Sequence, residues 1–94
     1  MPEPEYSRSN RWLTVIQFDD PALPKDVRQA LENHNIESRP VWNPMHCQPV
    51  FRDCKVYGGD VAESLFRHGL CLPSGTTLTP EIQSRITALI KSAL

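Results

Sequence analysis

The sequence lacks the features that define several large classes of protein. No apolar run approaches the roughly 18 residues of a membrane-spanning helix, and residues 1–10, MPEPEYSRSN, are acidic and polar, unlike a secretory leader. Its 10 basic and 11 acidic residues include no run rich in lysine or arginine, so a nucleic-acid-binding surface is not expected. These absences predict a cytoplasmic protein that binds neither membrane nor nucleic acid.

Cysteine is scarce, and its spacing does not indicate a metal site. Three cysteines cannot all be paired with one another, so reduced thiols are expected. The positions of Cys47, Cys54 and Cys71 contain no C-x-x-C, and His46 and His68 are too far apart for an H-x₃₋₅-H pair. Those are the spacings that close a tetrahedral zinc site. The sequence therefore predicts no bound metal.

The glycines and lysines indicate no catalytic site either. The segments YGGD and PSGTT match neither the dinucleotide-binding nor the P-loop pattern. Lys25, Lys55 and Lys91 lie at a predicted helix start, in a loop and in the last helix, whereas a Schiff-base lysine needs a desolvated pocket. His46 and Cys47 are adjacent, but a catalytic dyad requires the two groups to face each other in space. No catalytic residue is assigned.

The pattern that is present is that of one small globular domain. The 94 residues are 39% hydrophobic, which is enough for a core of modest size. Residues 1–10 are predicted to be a flexible tail, and residues 11–94 a single domain. The segment RWLTVIQFDD, 11–20, is apolar on both faces and predicts a strand covered on both sides. A helix over 23–35, closed by Asn35 in the left-handed conformation, and a strand over 36–42 follow.

The second half predicts two more helices and a third strand. Asp60 and Glu63 resemble a capping box at the start of a helix, and Gly69 is predicted to close it as a left-handed glycine. A strand over 70–73 follows, and Thr79 is predicted to cap a last helix that has Pro80 at its first position. The order β-α-β-loop-α-β-α predicts an α+β two-layer sandwich, in which about three helices pack on a small, mainly antiparallel three-stranded sheet.

The proline-rich stretch ESRPVWNPMHCQPVF, 37–51, holds the candidate binding residues. Its prolines favour a stiff, extended backbone, so side chains held on it lose little entropy on binding a ligand. Arg39 can pair with a carboxylate or phosphate, and His46 can donate to an anionic oxygen. The alternative is that Trp42, Met45 and Phe51 only fill the edge of the core, and composition favours neither.

Three motifs resemble one enzyme family. SNRWLT, NIESRPVWNPMHCQPVF and YGGDVAESLFRHGLCLPSGTTLT, in this order, are similar to the C-terminal lobe of the DegT/DnrJ/EryC1/StrS family of pyridoxal-phosphate-dependent aminotransferases. The resemblance runs through the whole chain. It implies the small lobe of a fold-type I aminotransferase, an enzyme that aminates nucleotide-linked keto-sugars with glutamate as the usual donor. It also implies that Arg39, Trp42 and His46 contact the substrate in an intact enzyme.

The resemblance also implies what this chain does not contain. Intact members are roughly four times as long, as expected when a large cofactor domain precedes a domain of ordinary size. That large domain carries the aldimine lysine, the aspartate that pairs with the pyridine nitrogen and the phosphate-binding residues. The chain alone is therefore expected to bind no cofactor and to be catalytically silent. There are two alternative hypotheses. The chain is a stand-alone module that binds a nucleotide-sugar, or it is one part of a split enzyme that pairs with a large-domain chain or with a second copy of itself.

Overall fold

The regular elements alternate along the chain as the sequence predicts. In the computed structural model, which describes residues 3–94, two 3₁₀ turns, Met45–Cys47 and Pro49–Phe51, lie in the loop before the second helix. The strands and helices are β1 (Thr14–Gln17), α1 (Leu23–Glu32), β2 (Arg39–Pro40), α2 (Asp60–His68), β3 (Gly69–Leu72) and α3 (Pro80–Ser92). Three helices and a small antiparallel sheet confirm the predicted α+β class.

The third strand lies in the centre of the sheet, whose order is β1-β3-β2 with both pairs antiparallel. Val15 and Arg39 are both paired with Cys71, while Ile16 is paired with Leu70. Because paired residues project from the same face of a sheet, Val15, Arg39 and Cys71 share one face. Ile16 and Leu70 share the other.

The core lies on the Leu70 side of the sheet. Val27 and Leu31 from α1, Leu70 from β3 and Ile86 from α3 form one buried cluster. Partly buried apolar side chains from β1, β3, α3 and the adjoining loops complete it: Ile16, Phe18, Ile36, Leu72, Leu78, Leu89, Ile90 and Ala93. The domain therefore has two layers, with helices packed on one face of the sheet.

The prediction that β1 is covered on both faces is wrong. Ile16 and Phe18 pack against the core, but Val15 is 46% exposed and Trp12 is 67% exposed. Trp42 and Met45 are also exposed, at 62% and 61%, so these two side chains do not fill the edge of the core. The face of the sheet opposite the helices is open at β1.

The helix boundaries follow the local rules at some ends and depart from them at others. Asn35 has φ 56°, and the Thr79 hydroxyl accepts a hydrogen bond from the amide of Ile82; both were predicted. At α2, however, Gly59 rather than Asp60 precedes the helix, and no side chain caps it. Gly69 is extended, with φ −100°, and begins β3 instead of closing α2 in the left-handed conformation.

Residues 3–10 contain no helix or strand and are exposed. The amide of Ser9 donates to the Glu3 carboxylate at 3.0 Å, and the amide of Ser7 donates to the carbonyl of Pro4. Within residues 3–94, every helix is too short or too polar to cross a bilayer.

Candidate functional site: a tryptophan-walled groove and a histidine–glutamate contact

The proline-rich segment between β2 and α2 is ordered by its own backbone. The amide of Cys47 donates to the carbonyl of Pro44, Phe51 donates to Gln48, and Cys54 donates to Phe51, all at 3.0 Å. Proline has a fixed φ and no amide hydrogen, so short turns bonded from the following residues suit this sequence. The candidate side chains therefore extend from a backbone of defined shape.

Two tryptophans form one wall of a surface groove. The ring centroids of Trp12 and Trp42 are 5.8 Å apart and the ring planes are inclined by 41°. This distance lies within the range in which aromatic pairs attract each other. Both side chains remain more than half exposed, so the pair presents a broad aromatic surface to solvent.

The groove beside this wall has a volume of about 660 Å³ and a mainly apolar lining. Cys71, Leu72, Leu78 and Ile86 contribute to the lining, as do residues 35–40. Burial raises the pKa of the Cys71 thiol, because a thiolate would lose its hydration there. Cys71 is thus a small buried apolar residue, as the sequence predicts.

The polar side of the groove carries a charge pair. Arg39 Nε donates to Glu37 Oε1 at 2.8 Å, and its Nη2 lies 2.6 Å from the same oxygen. Both side chains are more than 70% exposed, and exposed pairs contribute only about 0–1 kcal/mol. Arg39 can therefore leave Glu37 for an anionic ligand at small cost.

A buried hydroxyl lies next to this pair. Ser38 is 8% exposed, and its Oγ has no hydrogen-bond partner among the described residues. Buried polar atoms are usually paired. Ser38 borders both the groove and a second hollow that includes Arg28 and Glu32 of α1.

His46 lies apart from the groove. Its Nε2 is 2.9 Å from Oε1 of Glu63, in the first turn of α2. The other carboxylate oxygen of Glu63 lies 3.8 Å from the Arg67 guanidinium. The structure thus brings Arg39 and Trp42 to one groove and holds His46 against α2. Substrate contact by each of the three stays a prediction.

A glycine makes room for the His46 ring. Gly59 has φ 116°, and a Cβ there would lie 2.8 Å from Cε1 of His46. Real Cβ atoms essentially never approach a neighbour so closely. The backbone conformation therefore favours glycine at position 59, and a side chain there would displace the imidazole.

Three metal-ligating atoms meet at this contact. His46, Cys47 and Glu63 each offer one donor atom, and these atoms all lie within 4.8 Å of one another. Histidine and cysteine spacings alone do not identify this group, because Glu63 comes from the next helix. The carboxylate at the start of α2 is the feature of the sequence that indicates it. Trp12, which the sequence predicts only as a strand residue, likewise joins the groove through the fold.

Comparisons with known proteins agree with the sequence motifs. The model of the DegT/DnrJ/EryC1/StrS aminotransferase family matches residues 1–91, and the chain belongs to that family. A relative in Bacillus subtilis (strain 168), the proposed pyridoxal phosphate-dependent aminotransferase EpsN, is 43% identical over 94 residues. That alignment covers 96% of this chain and 24% of EpsN. The chain thus spans about a quarter of the length of this relative.

The lysines of this chain lie outside the tryptophan-walled groove. The cofactor needs a lysine for its aldehyde, a partner for its pyridine nitrogen and a cradle for its phosphate. Lys25, Lys55 and Lys91 are all exposed, and none borders the tryptophan-walled groove. Among residues 3–94, no lysine amine is therefore buried beside the groove.

Proposed function

We propose that the chain is the C-terminal lobe of a pyridoxal-phosphate-dependent aminotransferase that acts on nucleotide-linked keto-sugars, and that alone it binds no cofactor and catalyses no amino transfer. The observation that carries the proposal is the family match over residues 1–91, combined with coverage of 24% of EpsN. The exposed positions of the three lysines support the inactive state.

In the intact enzyme, the contribution of this lobe is substrate binding. The guanidinium of Arg39 suits a phosphate group because it presents several donors in one plane. The exposed ring of Trp42 suits the flat face of a base or the apolar face of a sugar. These two side chains border one groove, which supports their acting on the same ligand. His46 is the third proposed contact and must be reached from the α2 side.

The cofactor chemistry belongs to the remainder of the intact protein. Bound pyridoxal phosphate supplies an electron sink for amino transfer. The residues of the lobe bind and orient the substrate, and Trp12 and Trp42 shield one side of the groove from water.

The first test is made on the chain as it is. Incubated with pyridoxal phosphate and then separated from free cofactor, it should retain no visible aldimine band. Mixed with pyridoxal phosphate, glutamate and a nucleotide-linked keto-sugar, it should form no amino sugar. Amino transfer by the isolated chain would overturn the proposal.

The second test places the lobe in an enzyme. The matching C-terminal quarter of EpsN is replaced by this chain, and aldimine absorbance and amino transfer are measured. Arg39→Ala and Trp42→Ala should raise the KM for the keto-sugar with the aldimine band retained. Arg52→Ala, in an exposed residue of the same loop that does not border the groove, is the matched control and should change neither. A chimera that folds but never binds the cofactor would contradict the family role.

A second candidate function is a stand-alone module for a nucleotide-sugar. The observation that favours it is the exposed Trp12–Trp42 wall beside Arg39. Titration with uridine- or thymidine-linked sugars should then shift NMR signals at Trp12, Trp42 and residues 37–40. An absence of shifts at millimolar ligand would leave only the catalytically silent lobe.

A protein partner is also proposed for the exposed apolar side chains at and beside the sheet. Trp12, Val15 and Trp42 are exposed, and clustered apolar side chains commonly mark interaction surfaces. The proposed partner is a large-domain chain or, failing that, a second copy of this one. Analytical ultracentrifugation alone and with a large-domain chain distinguishes the two. A chain that stays monomeric and does not bind the large-domain chain would contradict both proposed partners.

A further inference from the structure

We propose that His46, Cys47 and Glu63 form a binding site for a divalent transition-metal ion, of which zinc is the best match. The three donor atoms come from the first 3₁₀ turn of the proline-rich loop and from the first turn of α2. The site lies outside the tryptophan-walled groove. It shares only His46 with the proposed substrate contacts, and its test requires no amino transfer.

The donor set suits zinc in type and charge. Imidazole nitrogen, thiolate and carboxylate oxygen are its common protein ligands, with bond lengths of about 2.0–2.3 Å. A thiolate and a carboxylate together neutralise the two charges of the ion. Binding would release the thiol proton of Cys47 to the buffer. The neutral imidazole of His46 would ligate through Nε2 and carry its proton on Nδ1. Water would fill the fourth position.

The geometry needs only a small adjustment. His46 Nε2 and Glu63 Oε1 are 2.9 Å apart, and all three donor atoms lie within 4.8 Å of one another. In a four-coordinate site with bonds of ~2.0–2.3 Å, donor atoms lie roughly 3.5 Å apart. The imidazole and carboxylate would separate slightly and Cys47, which is exposed, would turn inward about one side-chain torsion.

The surrounding residues hold the ligands in place. Gly59 leaves the space that the His46 ring occupies, since a Cβ there would overlap it. Arg67 lies 3.8 Å from Glu63 Oε2, so it orients the carboxylate and leaves Oε1 directed at His46. Groups that orient ligands in this manner are typical of metal sites. The Arg67 side chain is 63% exposed, so solvent screens its repulsion of a cation.

The test is a titration of the metal-free chain with Co²⁺, followed by displacement with Zn²⁺. Coordination by Cys47 should give a thiolate-to-cobalt charge-transfer band, and four-coordinate geometry should give intense visible bands, saturating at one equivalent. Cys47→Ser is the cleanest variant because it leaves the His46–Glu63 hydrogen bond in place. It should abolish the charge-transfer band and weaken binding at least about tenfold, the order of loss that follows when a metal site is disturbed.

Matched controls separate this site from incidental thiol binding. Cys54→Ser removes the other exposed thiol of the same loop and should leave the spectrum unchanged, as should His68→Gln. Glu63→Gln should keep the fold by circular dichroism and weaken binding to a similar degree as Cys47→Ser. Any of three results would overturn the proposal: no charge-transfer band, equal loss from Cys47→Ser and Cys54→Ser, or full binding by Glu63→Gln.

Discussion

Trp12 and Trp42 connect the two edges of the sheet. One precedes β1 and the other follows β2, strands that β3 separates, yet their ring centroids are 5.8 Å apart. The contact joins the N-terminal strand to the proline-rich loop. It forms the aromatic wall to which both binding hypotheses refer.

The tryptophan pair should contribute a measurable coupling energy. Aromatic pairs add about 0.5–1.5 kcal/mol beyond burial, and the lower half of that range is expected here because both rings are largely solvated. A double-mutant cycle with Trp12→Ala and Trp42→Ala, followed by urea unfolding, measures it. The control cycle pairs Trp12→Ala with Tyr57→Ala, an isolated exposed ring, and should give no coupling. A coupling near zero in the first cycle would mean that the rings do not interact in solution.

Gly69 should tolerate no side chain although its backbone is ordinary. An added Cβ would collide with the carbonyl oxygen of Leu65 and approach Val41 Cγ2 to 2.5 Å. Gly69→Ala should therefore destabilise the domain by about 1–3 kcal/mol, the usual cost of overpacking. Gly75→Ala is the matched control, since its nearest neighbour would be at 3.8 Å, and it should stay within about 0.5 kcal/mol of the wild type. Equal effects in urea unfolding would contradict the packing explanation.

The cost of substituting Gly59 should depend on His46. Gly58 and Gly59 both have positive φ, but only Gly59 contacts the imidazole. Gly58→Ala should cost about 1–2 kcal/mol from its backbone conformation alone, and Gly59→Ala should cost more. In a His46→Ala background the additional cost at Gly59 should shrink, which urea unfolding of the four chains measures. A penalty that His46→Ala leaves unchanged would assign the whole effect to the backbone.

Local rules predicted those features that nearby residues determine. Thr79 and Pro80 specify the start of α3, and Asn35 adopts its left-handed conformation, because caps and turns depend on a few neighbouring atoms. The α+β class followed in the same manner from the order of the elements. Gly69 shows the limit of such rules. A glycine after a helix usually closes it in the left-handed conformation. Gly69 instead has to be a glycine because a side chain there would overlap Leu65 and Val41.

The site depended on longer-range relationships. Arg39 and Trp42 are close in sequence, so their position at one groove could be predicted. Trp12 is distant in sequence and comes near them only because of the order of the strands in the sheet. Glu63 meets His46 because the loop turns back to the start of α2, and spacing rules carry no information on such a return. The open face of β1 was missed for a similar reason. Alternating apolar residues indicate that both faces can be buried, not that this chain covers both.

Cys71 should stay protonated and unreactive while the domain is folded. Its burial raises the pKa of the thiol, so at neutral pH iodoacetamide should label the exposed Cys47 and Cys54 and reach Cys71 only after unfolding.

Burial of Cys71 should also make the stability of the domain depend on pH. The unfolded chain ionises the Cys71 thiol at about pH 8.5, and the folded chain ionises it only at higher pH. The contribution of the neutral thiol to the free energy of unfolding is therefore complete below the pKa of the unfolded chain. It is lost as the pH rises toward the pKa of the folded chain. The difference in unfolding free energy between wild type and Cys71→Ala should thus be constant near neutrality and shrink in alkali. A difference for Cys71→Ala that stays constant into alkali would refute the burial argument.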